Sequence, residues 1–87
     1  MASFKLHLLR LARAGQGGVP GVPGLRAHTL TERGERPGPA FYLLLEGELV
    51  VDLPEGRYLH LRRGGAARVT EPHRLLPVER AVLLELG

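Results

Sequence analysis

From Leu25 to Gly87 the chain reads as short apolar-rich runs parted by glycine, proline or Glu-Gly breaks. Alternation of apolar and polar residues marks a strand with one face buried, because successive side chains point to opposite sides. In Glu48–Leu53 the alternation sets Leu49, Val51 and Leu53 on one face, and in Arg57–Arg62 it opposes Leu59 and Leu61 to Tyr58 and His60. The pattern predicts strands over Arg26–Glu32, Phe41–Leu45, Glu48–Leu53, Arg57–Arg62, Ala66–Val69, His73–Val78 and Arg80–Leu86. Leu53-Pro54-Glu55-Gly56 reads as the hairpin turn between the third and fourth of these. Short strands at near-regular spacing, with no later helical period, predict an all-β sandwich or closed barrel.

Ahead of Leu25 the pattern is less specific. Phe4, Leu6 and Leu8 alternate with Lys5 and His7 as in a strand; Phe4, Leu8 and Leu11 equally line one helical face, with Ser3 placed to cap a helix and Gly15 to stop it. Phe4–Ala14 is therefore a short strand or a short helix. Gly15–Gly24 follows, with Val19-Pro20-Gly21 and Val22-Pro23-Gly24 in tandem. Each Pro-Gly pair favours a type II turn, since glycine accepts the positive φ that such a turn needs. The chain divides into an N-terminal segment with its Gly/Pro-rich connection, residues 1–24, and a β domain, residues 25–87.

The order of motifs in the β domain resembles the cupin family of small jelly-roll barrels. Phe41-Tyr42-Leu43-Leu44-Leu45-Glu46-Gly47-Glu48-Leu49-Val50-Val51 is similar to the family's strand, tight glycine turn, strand signature. Leu59–Gly65 resembles the next hairpin and its glycine turn, Glu71-Pro72-His73-Arg74 the end of the second cupin motif, and Val78–Leu86 the closing strand. The resemblance implies a cupin-like jelly-roll β-barrel or sandwich enclosing a cavity that takes a small molecule.

Metal-binding members of that family place two histidines and a glutamate before the glycine turn and a third histidine in the second motif. Counted back from Gly47, the glutamate position falls at Ala40 and the histidine pair near Gly34 and Arg36. None of these three is a neutral or anionic donor of the kind a divalent metal requires. His73 alone corresponds to a family ligand, and the Pro-x-Gly element that precedes it in the family is absent. The expectation is no cofactor; a divalent metal would need His73 joined by His28 or His60. His60 shares its strand face with Tyr58 and Arg62, an outer, solvated face.

Composition narrows the picture further. The chain has 87 residues, 44% hydrophobic and 24% charged, with no cysteine. That is an ordinary globular balance in a domain too small for a large core, and neither disulfides nor a zinc–thiolate site can reinforce it. Oligomerisation is the remaining device, so a homodimer is expected. The longest apolar run, Phe41–Leu45, is too short to span a bilayer, and Lys5, His7 and Arg10 interrupt the stretch that could mimic a signal peptide. A cytoplasmic protein with no membrane partner is expected. Arginine replaces lysine almost throughout, asparagine is absent and glutamine occurs once, a pattern of thermophiles. The net charge of +3 comes from the leading arm, where residues 1–31 carry Lys5, Arg10, Arg13 and Arg26 and no acid. Four dispersed cations with no stacking aromatics make nucleic acid a disfavoured partner.

Three residues stand out as candidates to line a ligand cavity. His73 is the matching family histidine. Tyr42 shares a strand face with Ala40 and Leu44, which the resemblance turns toward the cavity, so its hydroxyl is a polar handle there. Arg36 sits at a family ligand position, where its guanidinium could hold a carboxylate or phosphate in place of a metal's charge. Its neighbours Pro37-Gly38-Pro39 predict instead an exposed loop and a solvated arginine. Nucleophilic catalysis lacks a candidate: there is no cysteine, and Ser3 is the sole serine. The leading reading is a cupin-like small-molecule binding or regulatory module; the rivals are a metal-dependent cupin enzyme of oxygenase or isomerase type, and a nucleic-acid-associated protein that uses the basic arm.

Overall fold

The alternating runs become the strands of one antiparallel sheet, seen in a computed structural model that describes residues 7–13, 18–19 and 22–87. The order is helix α1 (Leu8–Arg13), then strands β1 (Gly18–Val19), β2 (Val22–Leu30), β3 (Gly34–Arg36), β4 (Ala40–Asp52), β5 (Tyr58–Arg62), β6 (Ala66–Val69) and β7 (His73–Leu86). The fold is all-β. The sheet runs β1-β2-β7-β4-β5, with β3 on the outer edge of β7 and β6 on that of β4. Within Phe4–Ala14, Leu8–Arg13 is helical; positions 4–6 and 14, like the first Pro-Gly pair, lie outside the described residues.

Two expected breaks are not breaks. Phe41–Leu45 and Glu48–Leu53 belong to the single strand β4, and His73–Val78 and Arg80–Leu86 to the single strand β7. The two long strands pair along their whole length, and the register shifts between Leu44 and Glu46 and again between Gly47 and Glu48. Gly47 (φ 87°) and Glu79 (φ 65°) are the positive-φ residues at this level, so each strand passes through a bulge where the sequence suggests a turn. A Cβ on Gly47 would stand 2.3 Å from the carbonyl oxygen of Arg80, so the bulge admits only glycine. The bulges also keep phase: Ala40, Tyr42 and Leu44 before them and Leu49 and Val51 after them join one buried cluster with Leu75, Ala81 and Leu83.

The expected hairpin turn at Leu53–Gly56 is present as a single 3-10 turn with Glu55 at φ 65°. A second buried cluster lies on the opposite face, where Ala12 of α1 packs with Ala27, Val82 and Leu84. Thr29 ties the helix down by donating its hydroxyl to the Ala12 carbonyl at 3.0 Å. With both faces covered here, β7 is buried without interruption from Ala81 to Glu85. A strand covered on both sides needs no alternation.

Candidate functional site

Strand register brings the three candidates to one interior. β3 lies antiparallel to the start of β7 and sets Arg36 directly opposite His73. On the far half of β7, Glu85 stands between Arg26 of β2 on one side and Tyr42 of β4 on the other. Arg36 then reaches from its own strand to Glu85, so the two rows become one constellation.

Tyr42 and His73 form its first part. Both are buried, and the Tyr42 hydroxyl is 2.6 Å from His73 Nε2 with the rings edge to face. His73 Nδ1 lies 2.7 Å from the Glu71 carbonyl oxygen, which can only accept. In the neutral ring the proton is therefore on Nδ1, and Nε2 accepts the proton of the Tyr42 hydroxyl. Both imidazole nitrogens are thus engaged by the protein. Burial, reinforced by the charge of Glu85, pushes the Tyr42 hydroxyl up to about 12 against the opposing pull of Arg36 and Arg26, so it stays a donor.

The second part centres on Glu85, only 4% exposed. Arg36 donates through Nε to Oε2 at 2.8 Å and through Nη2 to Oε1 at 3.4 Å. His28 Nε2 is 2.9 Å from Oε1, and Arg26 Nη2 is 3.0 Å from Oε2. Burial alone would raise this carboxyl, but hydrogen bonds from His28 and Arg36, with the charges of Arg36 and Arg26, outweigh it and bring the group down to about 2. The hydrogen bond to Glu85 in turn holds Arg36 more firmly protonated. Arg36 is thus not the solvated arginine that Pro37-Gly38-Pro39 suggests: its side chain is 23% exposed, because a buried carboxylate pulls the guanidinium inward.

Sequence reasoning missed Glu85, reading it as part of the closing strand. The usable signal was its place in Ala81-Val82-Leu83-Leu84-Glu85-Leu86. A carboxylate inside an apolar run is seldom buried unless paired, and arginine abounds in this chain.

Two cavities meet at Arg36. A cleft of about 610 Å³ is bordered by Arg36, Asp52, Pro72, His73 and Arg74. A smaller hollow of about 250 Å³ lies beside Arg26, Arg36, Pro39 and Glu85. Tyr42 borders neither, its side chain being core.

The residues do not fit the metal that the cupin resemblance implies for many members. Gly34 and Arg36 carry no donor, Ala40 is a buried core residue, and the nitrogens of His73 are taken. His28 faces Glu85, and His60 is paired with Glu48 at 2.8 Å at the surface. Among the described residues no three His, Cys, Asp or Glu side chains come close enough to hold a metal ion. No helix among them is long and apolar enough to cross a membrane.

No protein-family model and no curated protein matches the chain. Among solved structures, protein NMB1881 from Neisseria meningitidis is similar over 97% of this chain and 98% of its own, with a TM-score of 0.77 at 19% identity. A transcriptional regulator of the HTH_3 family from Vibrio cholerae is similar over 87% of this chain and 56% of its own, with a TM-score of 0.54 at 18% identity. At these identities the likeness concerns the fold.

Proposed function

We propose that the chain is a cupin-like jelly-roll module for small-molecule binding or regulation, without the metal site usual in that family. The observation that carries this is the pair Arg36 and His73, set opposite each other in register at the border of a cleft of about 610 Å³. The cleft has the size of a small-molecule site, and its lining sets Leu53 and three prolines beside the polar groups of Arg36, Asp52, His73 and Arg74. At its border stands a guanidinium in place of a metal donor, and His73 is committed to Tyr42 and Glu71. Such a site binds and orients through Arg36 and His73, and none of its lining side chains is an activated nucleophile.

The test uses untagged protein purified without chelator. Metal analysis is expected to give substoichiometric divalent metal, and a small-molecule library screened by amide shifts is expected to perturb Arg36, His73 and Arg74 together. Stoichiometric iron, manganese, nickel or zinc that disappears in His73→Ala would instead establish the metalloenzyme reading.

A further inference from the structure

Strand β5 leaves one side of its backbone open. It pairs with β4 and ends the order of the sheet, with no strand beyond it among the described residues. The Leu53 amide donates to the Arg57 carbonyl at 2.9 Å, which fixes the phase of the hairpin. Hydrogen-bonded pairs alternate from there, so Leu59 and Leu61 turn their backbone groups to β4, while Tyr58, His60 and Arg62 turn theirs outward. Of these outward groups the Arg62 carbonyl is occupied, accepting from the Gly65 amide at 2.7 Å. The usual devices that blunt an edge are missing: Tyr58–Arg62 holds no proline, glycine or bulge, and it exposes Tyr58 by 66% and Leu59 by 37%.

We infer that the β5 edge joins a second copy of this chain, antiparallel about a two-fold axis at His60, so that the sheets of two protomers run into one. The strand complements itself in this register. His60 exchanges both backbone bonds with the partner's His60, and the Arg62 amide donates to the partner's Tyr58 carbonyl. Leu59 falls opposite the partner's Leu61 as a close pair on the inner face. Because Leu59 also pairs with Val51, and Val51 and Leu61 belong to the main core, the apolar layers of the two copies become continuous. Charge matches on the outer face. Asp52 stands beside Tyr58 in the β4–β5 ladder, and neither Asp52 nor Arg62 has an ion-pair partner among the described residues. The two-fold sets the partner's Arg62 across the Tyr58 ring from Asp52, a cation against an aromatic face with an acid beyond it. At the axis each His60 keeps its own Glu48 beside it, so no like charge is left uncompensated there. The interface stands whether or not the cleft takes a ligand.

The experiment is sedimentation velocity of the full chain from about 1 µM to about 500 µM, with amide hydrogen exchange measured at both ends of that range. A reversible monomer–dimer equilibrium is expected, with the His60 and Arg62 amides protected only at the high end. Two variants read the register. His60→Pro removes an outward N–H that the β4–β5 ladder does not use. Tyr58→Arg sets a cation against the partner's Arg62 while giving Asp52 a favourable neighbour within the monomer. Each is expected to weaken association about tenfold or more; where His60→Pro fails to fold, Tyr58→Arg decides. A monomer at every concentration overturns the proposal. So does a dimer whose His60 and Arg62 amides gain no protection, or one that persists undiminished in Tyr58→Arg with its amide spectrum otherwise native.

Discussion

Arg36 Nε lies 2.8 Å from Glu85 Oε2, joining the short strand β3 to the end of β7 through the interior. This ion pair binds the two halves of β7 to each other through β3. A carboxylate taken out of water on this scale is tolerated only with several cationic partners. Removing one partner therefore costs more than the pair contributes over an apolar replacement.

Glu85→Gln is accordingly expected to destabilise the fold by about 2–3 kcal/mol, since it leaves the half-buried Arg36 without its counter-charge. Arg36→Met should cost a similar amount, and the double variant less than the two combined. The pH dependence has a definite sign. Glu85 falls from its usual 4.5 to about 2 on folding, so the unfolded chain takes up the proton first. The stabilisation is complete above about pH 5 and is lost as pH falls toward 2. Urea unfolding at pH 7, 4 and 2.5 checks this: the native chain should lose stability across the series more steeply than Glu85→Gln. Parallel curves would show that Glu85 is not the group responsible.

How far these features were legible in the residues depends on the range of the interaction that fixes them. β6 and the turn after Leu53 follow from local alternation and turn chemistry, and both are found where the pattern places them. The long strands do not: in β4 a glycine at positive φ marks a turn and a bulge alike, and in β7 the positive φ falls on Glu79, a residue type with no such signature. What decides for a bulge is the approach of Arg80 to Gly47, a contact between residues far apart in sequence. β3, with only Gly34, Glu35 and Arg36, is too short to carry a period. At the site, Tyr42, His73 and Arg36 each stood out singly, yet nothing local revealed that Glu85 would gather Arg26, His28 and Arg36 around it. A strand acid is ordinarily solvated, and only cover on both faces of β7 makes this one an interior residue.

Tyr42→Phe is a test of the buried hydroxyl–imidazole bond. It removes the donor to His73 Nε2 and leaves that nitrogen unsatisfied away from water, which should cost about 1–3 kcal/mol. His73→Phe removes the other partner. Chemical denaturation of the double variant should show clear non-additivity, because once one partner is gone the second loss no longer breaks a bond. Additive effects would mean that the two rings are held independently.

The bulge makes a prediction that separates backbone strain from steric conflict. Gly47 and Gly64 share nearly the same left-handed conformation, φ 87° and φ 84°. An alanine at either position pays for that conformation, by about 1–2 kcal/mol. Their surroundings differ completely. A Cβ at Gly64 meets nothing within 4 Å, whereas one at Gly47 would lie 2.3 Å from the Arg80 carbonyl oxygen, a backbone atom that cannot swing aside. Gly64→Ala should therefore stay within the conformational cost. Gly47→Ala must in addition push β7 away from β4 at the level where both strands change register, loosening Ala81 and Leu83 in the core. Its expected loss is about 3 kcal/mol or more, with amide shifts spreading from Gly47 into Arg80–Leu83. Equal melting temperatures for the two variants would show that the strands are not held together at the bulge.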